Sequence, residues 1–161
     1  MVRSKLIDSC RLEKRIQQES RCPFITALYY AFQDETYLYF VMEWASGGDV
    51  YSLISDPLRK RVEEFKKMGE TGVRFILACL ILGMEYLHKH NIMYRDLKPE
   101  NILIFENGYV KLTDFGLAKE LRPDELSKTE AGTSFYYAPE MVLRVGYYKY
   151  IDLWAIGIFA Y

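Results

Sequence analysis

The first 20 positions carry apolar side chains at helical spacing. Residues 4–20 are rich in charge and lack glycine and proline. Their apolar side chains fall on one helical face: Leu6, Leu12 and Ile16. Because Pro23 follows and disfavours helical backbone before it, we expect a helix that ends near residue 20.

The pattern then changes to that of β-strands. Residues 24–32 and 36–42 are rich in aromatic and β-branched side chains, with a polar turn between them. This arrangement predicts an antiparallel strand pair. Residues 45–49, with the sequence Ala-Ser-Gly-Gly-Asp, interrupt the pattern and indicate a hinge between two lobes.

Two helices are predicted after the hinge. A short helix begins at Asp49, whose carboxylate suits an N-cap. Residues 73–90 are largely apolar and end in His88-Lys89-His90, cations that suit a helix C-terminus. The charge-rich residues 55–72 between them are interpreted as a solvated surface insertion.

A hairpin and a core helix are predicted in the second half. Asn107-Gly108 stands between the apolar runs 102–105 and 109–112, which is a strong hairpin signal. Residues 117–137 lack a regular pattern and predict a long loop, of a kind that is often functional. Residues 151–161 are almost wholly apolar and predict a helix in the core.

Composition narrows the class of protein. The chain has 161 residues, half of them apolar, which is enough for a globular domain with a sizeable core. A net charge of -1 provides no field that would recruit nucleic acid or an anionic membrane. The longest apolar run, residues 75–84, is shorter than the about 20 residues that span a bilayer. Without a visible targeting segment, we expect an intracellular, cytoplasmic protein with no membrane segment.

The cysteines support a reducing compartment. Cys10, Cys22 and Cys79 are odd in number and show no CxxC spacing. They predict free thiols, with neither a zinc site nor a disulfide framework.

The densest group of chemically useful side chains lies at residues 94–101. Asp96, Lys98 and Asn101 fall within six residues, and Asp114 follows the predicted hairpin. Asp96 could accept a hydroxyl proton while Lys98 holds a phosphate, and the oxygens of the other two side chains suit Mg²⁺. Each residue alone would more often be a cap or a turn former. The ordered set predicts phosphoryl transfer, in which positioning and charge neutralisation supply most of the catalysis.

Four ordered motifs extend this interpretation. They are Tyr-Arg-Asp-Leu-Lys-Pro-Glu-Asn at 94–101, Asp-Phe-Gly at 114–116, Ala-Pro-Glu at 138–140 and Asp-Leu-Trp-Ala-Ile-Gly at 152–157. With them the chain resembles the eukaryotic protein kinase family, and its details resemble the AGC group of serine/threonine kinases. The resemblance implies an α+β, bilobal protein-kinase-like fold. It also implies transfer of the ATP γ-phosphate to Ser or Thr hydroxyls of proteins, with Mg²⁺.

The resemblance implies a role for each residue of the tract. Asp96 resembles the catalytic base and Lys98 the phosphate-holding lysine, which also favours Ser/Thr over Tyr substrates. Thr133 resembles the threonine that hydrogen-bonds the catalytic aspartate. Asn101 and Asp114 resemble the Mg²⁺ ligands.

Regulation and substrate choice are implied in the same way. Arg95 is expected to pair with Thr129 once an upstream kinase has phosphorylated it, and Asp152 is expected to brace the catalytic loop. In basophilic members of the family the counterparts of Asp49 and Glu100 contact arginines of the substrate. Substrates that are basic around the phosphoacceptor are therefore expected.

The ATP site is implied on both sides of the hinge. Glu13 resembles the glutamate of helix C that pairs with the ATP-binding lysine. Met42 resembles the gatekeeper, and the backbones of Glu43 and Ala45 are expected to bond adenine. The other expected contacts are Asp49 at the ribose, Leu103 beneath the ring and Thr113 beside it.

The resemblance also implies how the chain is divided. Residues 1–44 correspond to a remnant of the small lobe, 45–49 to the hinge and 50–161 to the first part of the large lobe. No Gly-rich loop or lysine-bearing strand precedes the first helix, and the sequence stops within the central helix. We expect a domain truncated at both ends, and weak or no activity for residues 1–161 alone.

The chain departs from the family pattern at three places. Gln17 occupies a spine position that is usually apolar, Glu130 stands where AGC kinases often have Leu, and Ser134-Phe135-Tyr136-Tyr137 replaces Pro-Glu-Tyr-Leu. The preference for the residue after the phosphoacceptor is therefore open. Two alternatives to an active kinase remain: a pseudokinase-type scaffold that binds without turnover, and a truncated product that does not fold stably.

Overall fold

Helices and small antiparallel sheets alternate along the chain. A computed structural model describes residues 2–55, 60–122 and 125–161. Its elements in chain order are α1 (Val2–Glu19), β1 (Leu28–Gln33), β2 (Leu38–Met42), β3 (Gly48–Asp49), α2 (Val50–Ser55), α3 (Lys60–Lys89), β4 (Ile92–Met93), β5 (Ile102–Ile104), β6 (Val110–Leu112), β7 (Lys119–Glu120), α4 (Pro139–Val142) and α5 (Ile151–Ala160). This mixture confirms the predicted α+β class.

Helix α1 confirms the helix predicted over residues 4–20. Ile16 is buried and Leu12 packs against the main core, whereas Leu6 is 65% exposed. The expected apolar face is therefore wrong at its first position, because only the C-terminal half of α1 is covered by the core.

Strands β1 and β2 confirm the predicted antiparallel pair, but β1 begins at Leu28. Residues 24–27 instead run beside β6. There the Leu112 backbone N–H donates to the Phe24 carbonyl (2.9 Å), and the Leu112 carbonyl accepts the Thr26 backbone N–H (2.9 Å). The apolar run that the sequence shows as one strand is thus divided between two sheets.

A second sheet has the strand order β3-β5-β6. Strands β5 and β6 form the predicted hairpin, with Gly108 at φ 81° in its turn. The register places Asp49 opposite Leu103 and Leu103 opposite Lys111. Asp49 also confirms its predicted role as N-cap, since its Oδ1 accepts the Ser52 backbone N–H (2.7 Å).

Helix α3 is longer than the helix predicted over residues 73–90. It begins at Lys60, is kinked at Gly69 (φ 54°, ψ -144°) and ends at Lys89. Most of the stretch interpreted as an insertion is therefore helical, and residues 56–59 lie outside the described residues.

The second part of α3 is a core helix. Residues 69–89 are long and apolar enough to cross a membrane by length and composition, a criterion that core helices of soluble proteins also meet. Leu80, Met84 and Leu87 on this part are buried in the main core. The prediction of a buried helix is confirmed.

The long loop predicted over residues 117–137 is attached to the fold at two places. It contains β7, which pairs with β4. An isolated bridge joins Ser127 to Tyr147. Residues 123–124 lie outside the part that the structure describes.

Helix α5 confirms the core helix predicted over residues 151–161. Ala155 and Ile156 join the main core, in which α5 packs on α3. The first turn of α5 brings Asp152 into the interior, where it is 1% exposed.

Candidate active site

One buried carboxylate holds the segment that carries the predicted catalytic residues. Asp152 accepts the backbone N–H groups of Tyr94 (3.0 Å) and Arg95 (2.8 Å). Its Oδ2 also lies 2.7 Å from His88 Nε2, near the end of α3. Arg95 has φ 70°, a left-handed conformation that a residue with a side chain adopts at a cost. These contacts fix the turn before Asp96, which is the bracing that the resemblance implied.

Asp96 is the centre of a polar cluster. Lys98 Nζ donates to its Oδ2 (2.8 Å) and Thr133 Oγ1 donates to its Oδ1 (2.8 Å). Asn101 Nδ2 donates to Asp96 Oδ2 (3.0 Å) and to the Asp96 carbonyl (3.0 Å). The structure therefore brings together side chains that the sequence singled out at positions 96, 98, 101 and 133.

Lys98 is held as a cation in this cluster. Its hydrogen bond to Asp96 raises its pKa, partial burial opposes the rise, and the charges of Asp96, Glu100 and Asp114 reinforce it. A fixed positive charge beside Asp96 is what a transferring phosphoryl group needs.

A glycine allows Thr133 to reach Asp96. Gly132 has φ 102°, and a Cβ at this position would lie 2.2 Å from the Arg95 carbonyl oxygen. A side chain would push the two backbones apart. The close approach of residues 95 and 132 thus sets the position of the Thr133 hydroxyl.

Asp114 follows β6 in a tight turn, with φ 56°. The Thr113 backbone N–H donates to the Asn101 carbonyl (3.1 Å), so the two predicted metal ligands come from neighbouring backbone segments. Phe115 is fully buried against the Tyr94 ring, with 5.4 Å between centroids. This contact anchors the turn that presents Asp114.

The two predicted ligands suit a hard cation. Asn101 directs its amide nitrogen at Asp96, so its amide oxygen is turned away from that carboxylate. Asp114 adds an exposed carboxylate. Among the described residues, no group of three or more His, Cys, Asp or Glu side chains is placed to hold a metal. Two protein oxygens agree with Mg²⁺, which proteins bind through one or two carboxylates together with waters and phosphates.

Glu13 of α1 faces the same turn. Its Oε1 accepts the Phe115 backbone N–H (3.3 Å). Burial, followed by the charge of Asp114, raises the pKa of Glu13, and the Phe115 hydrogen bond lowers it by less. No cation pairs with Glu13 in residues 2–55, 60–122 and 125–161. The lysine that the resemblance implies as its partner has no counterpart there.

Gln17 and Met42 contact each other between α1 and β2. Gln17 Nε2 donates to the Met42 sulfur (3.2 Å). Gln17 is 1% exposed, and its Oε1 is the one buried side-chain nitrogen or oxygen in the described part of the chain without a hydrogen-bond partner. A buried carbonyl without a donor costs stability, so this departure from the family pattern has a physical cost.

The other residues predicted to contact the nucleotide lie between the end of β2 and the start of α2, and on the second sheet. The Glu43 backbone N–H donates to the carbonyl of the residue before β1 (3.0 Å), so only the Glu43 carbonyl could meet adenine. Ala45 follows in the irregular stretch before β3. Asp49 uses both carboxylate oxygens on Ser52 (2.7 and 2.8 Å), which a ribose would have to share. Leu103 lies directly opposite Asp49.

Arg95 links the segment that carries Asp96 to the predicted phosphorylation site, Thr129. Its Nη1 donates to Thr129 Oγ1 (2.9 Å) and its Nε to the Leu117 carbonyl (2.7 Å). The Tyr147 hydroxyl accepts from Arg95 Nη1 (3.3 Å) and donates to the Thr129 carbonyl. The guanidinium therefore contacts the unmodified threonine.

A cavity of about 770 Å³ opens beside Thr129, between α1 and the loop. Three carboxylates share its wall with four cations: Arg11, Arg15, Arg95 and Lys119. Arg15 already pairs with Glu120 (2.5 Å). Lys119 lies 3.5 Å from Glu125, so Arg95 is the cation of this wall that contacts the Thr129 hydroxyl.

The segment after Thr129 differs from the family as the sequence indicated. Glu130 pairs with Arg144 (2.6 Å) in an exposed ion pair. Residues Ser134–Tyr136 form a short 3-10 turn, and Phe135 is almost fully exposed. This segment thus presents polar and aromatic side chains at the surface.

Two contacts of the site were not expected from the sequence. His88 was interpreted as a cation at a helix end, and it lies against Asp152, 64 positions away. Tyr147 was not singled out, although it touches both Arg95 and Thr129. Pairs this distant along the chain leave no local pattern that would reveal them.

Known proteins resemble the chain over nearly its whole length. The family profile described as "Protein kinase domain" matches residues 2–161. The cAMP-dependent protein kinase catalytic subunit of Dictyostelium discoideum is 42% identical over 158 residues, which cover 98% of this chain and 23% of that protein. The cGMP-dependent protein kinase of Eimeria tenella is 44% identical over 154 residues (96% and 14%), and isozyme 1 of Drosophila melanogaster is 41% identical over 146 (91% and 18%). The chain thus spans less than a quarter of the length of these relatives, and the matches confirm the resemblance that the motifs indicated.

Replacing Glu13 by Gln tests the unpaired carboxylate. Because the pKa of Glu13 is raised in the folded chain, the stability that this group contributes is fully present below the unfolded pKa of about 4.3 and is lost as pH rises through the folded pKa. Glu13→Gln keeps an acceptor for the Phe115 N–H and removes the charge. We expect this variant of the 161-residue chain to have a higher urea unfolding midpoint than the wild type at about pH 7 and the same midpoint in acid, as measured by circular dichroism.

The exposed Glu19 of the same helix provides the matched control, Glu19→Gln, which should show no such pH-dependent gain. Equal midpoints for wild type and Glu13→Gln at neutral pH would contradict the assignment of Glu13 as a destabilised carboxylate.

Proposed function

Because the chain belongs to the protein kinase domain family, we propose that the protein transfers the γ-phosphate of ATP to Ser or Thr hydroxyls of proteins. One observation carries the proposal: the Asp96 carboxylate is held between the Lys98 ammonium and the Thr133 hydroxyl. The names of the relatives, all cyclic-nucleotide-dependent protein kinases, support the same activity.

The chemistry follows from the polar cluster. Asp96 accepts the proton of the substrate hydroxyl while the hydroxyl oxygen attacks the γ-phosphorus and ADP leaves. Thr133 and Asn101 each donate to Asp96 and keep its carboxylate oriented. Lys98 places a fixed positive charge beside the transferring group and so stabilises the transition state more than the ground state.

Asn101 and Asp114 would hold Mg²⁺, which neutralises charge on the phosphate oxygens when it is bound. The Thr113–Asn101 backbone hydrogen bond (3.1 Å) keeps the two ligands at a fixed spacing. The packing of Phe115 on Tyr94 keeps the Asp114 turn in place.

We propose residues 45–49 as the hinge between a small lobe, residues 1–44, and a large lobe, residues 50–161, with ATP bound at that junction. The alignment of Leu103 with Asp49 across the second sheet supports a nucleotide on this face. The residues proposed to contact it are Glu13, Met42, Glu43, Ala45, Asp49, Leu103 and Thr113.

Replacing Asp96 by Asn removes the proton acceptor and keeps the shape of the side chain. We expect Asp96→Asn in the full-length protein to lower kcat by about 10²–10⁴-fold and to retain MgATP binding. The assay measures radiolabelled phosphate transfer to a serine peptide with arginines before the serine, beside a matched peptide without them. A higher kcat/KM for the arginine peptide is expected.

The exposed Glu106→Gln, in the β5–β6 turn, is the control and should keep wild-type kcat. Activity of Asp96→Asn equal to wild type would contradict the assignment of Asp96. MgATP binding without turnover by the wild type would favour the pseudokinase-type scaffold.

We also propose that phosphorylation of Thr129 by an upstream kinase activates the protein. Arg95 already donates to the Thr129 hydroxyl (2.9 Å) and, through its backbone, to Asp152. A phosphate on Thr129 would strengthen the first contact and order the loop that carries Thr133.

Replacing Thr129 by Ala tests this regulation. We expect activity about tenfold or more below that of phosphorylated wild type, because the charge-assisted contacts to Arg95 are lost. Phosphatase treatment, followed by intact-mass measurement, should lower wild-type activity and leave Thr129→Ala unaffected. Thr36→Ala, at an exposed hairpin position, is the control. Full activity of Thr129→Ala would rule the mechanism out.

A cytoplasmic location is proposed from the thiols. Cys10, Cys22 and Cys79 are all free, the state expected in a reducing compartment. Recovery of the protein from the secreted fraction of cells would contradict this location.

A further inference from the structure

An ion pair with little exposure joins the end of β2 to the middle of β6. Lys111 Nζ lies 2.8 Å from Glu43 Oε1 and 2.7 Å from Glu43 Oε2. The two side chains are only 16% and 14% exposed. An exposed ion pair contributes little, but breaking a pair that is largely removed from water leaves a charge without compensation.

Both charges have further partners. Glu43 Oε1 also accepts the Ala27 backbone N–H (2.8 Å), and the Glu43 backbone N–H donates to the Ala27 carbonyl (3.0 Å). Lys111 Nζ lies 4.5 Å from the centroid of the Phe105 ring, at cation–π distance. Glu43 is therefore fixed to the start of β1 through two hydrogen bonds and to β6 through the ion pair.

The sheet register places Lys111 on the nucleotide face. Directly opposite residues of an antiparallel pair share one face, and Lys111 is opposite Leu103, which is opposite Asp49. The alternate positions Val110 and Leu112 are buried in the core. Lys111 thus belongs to the same row as the two residues proposed to lie beneath the base and at the ribose.

We propose that Lys111 is a positioning residue of the nucleotide site, acting through Glu43. This inference rests on the proposed function, because it concerns the backbone carbonyl of Glu43 that adenine would meet. Lys111 holds the Glu43 carboxylate from one side of the proposed hinge, while Ala27 holds it from the other. Together they give this carbonyl one orientation.

The expected effect is on nucleotide binding rather than on chemistry. Without Lys111, the Glu43 carboxylate would be a buried charge without a partner. The side chain would therefore turn toward water, and its hydrogen bond to the Ala27 N–H would be lost. The ion pair makes no hydrogen bond with Asp96 or Lys98. KM for ATP should therefore rise while kcat is preserved.

A double-mutant cycle in the full-length protein tests the coupling. The variants are Lys111→Met, which keeps the apolar stem, Glu43→Gln, which keeps an acceptor for Ala27, and their combination. The dissociation constant of MgATP is measured by calorimetry and kcat by peptide phosphorylation. We expect each single variant to weaken MgATP binding by about five- to tenfold and the double variant to be no weaker than either.

Two further variants separate positioning from general stability. Lys111→Arg restores a cation and should recover most of the affinity. Lys89→Met removes the exposed Glu85–Lys89 pair and should leave MgATP affinity within about twofold of wild type, even if its melting temperature falls. If Lys111→Met does not fold, Glu43→Gln and Lys111→Arg provide the same comparison.

The outcomes distinguish this inference from the proposed function. MgATP affinity of Lys111→Met and Glu43→Gln within about twofold of wild type would overturn the inference and leave the proposed function standing. Additive losses in the double variant would also overturn it, because independent sites add. A wild-type protein that does not bind MgATP would overturn the proposed function and this inference with it.

Discussion

The carboxylate of Asp152 lies between the end of α3 and the segment that carries Asp96, and it binds both. It accepts backbone hydrogen bonds from Tyr94 and Arg95 and contacts His88. A buried carboxylate is tolerated only when such partners surround it. Its position in the first turn of α5 therefore couples the helical core to the geometry of the site.

The site is assembled from turns that a free chain would avoid. Arg95 and Asp114 both have positive φ, and Gly132 must pass within van der Waals distance of the Arg95 carbonyl. Such conformations persist where the surroundings hold them in place. Here Asp152 holds the first turn, and the packing of Phe115 holds the second. Contacts with the core compensate for the unfavourable conformations of these turns. As a result, the Asp96 carboxylate, with its three donors, is held at a fixed place.

Local signals in the sequence predicted much of this arrangement. Asn107-Gly108 predicted the hairpin, Asp49 the helix cap, and the spacing of Asp96, Lys98 and Asn101 their grouping in one cluster. Each of these depends on residues within a few positions of one another. Asp114 was grouped with the tract because it follows the predicted hairpin that begins after Asn101.

The contacts that the sequence did not predict join distant segments. Lys111 and Glu43 are 68 positions apart, and His88 and Asp152 are 64 apart. Neither pair leaves a periodic pattern, because its two members lie in separate segments. The division of residues 24–32 between two sheets was missed for the same reason: the partner Leu112 lies far along the chain.

The central claim is that the Asp152 carboxylate holds the segment around Asp96 in place. The most direct measurement is hydrogen exchange by mass spectrometry on Asp152→Asn and wild type, both folded by circular dichroism. We predict that backbone exchange over residues 92–98 rises about tenfold or more in the variant, while residues 76–87 of α3 keep their protection. The reason is that the backbone N–H groups held by Asp152 lose a charged acceptor and their hydrogen bonds weaken. Unchanged exchange over residues 92–98 would contradict the account.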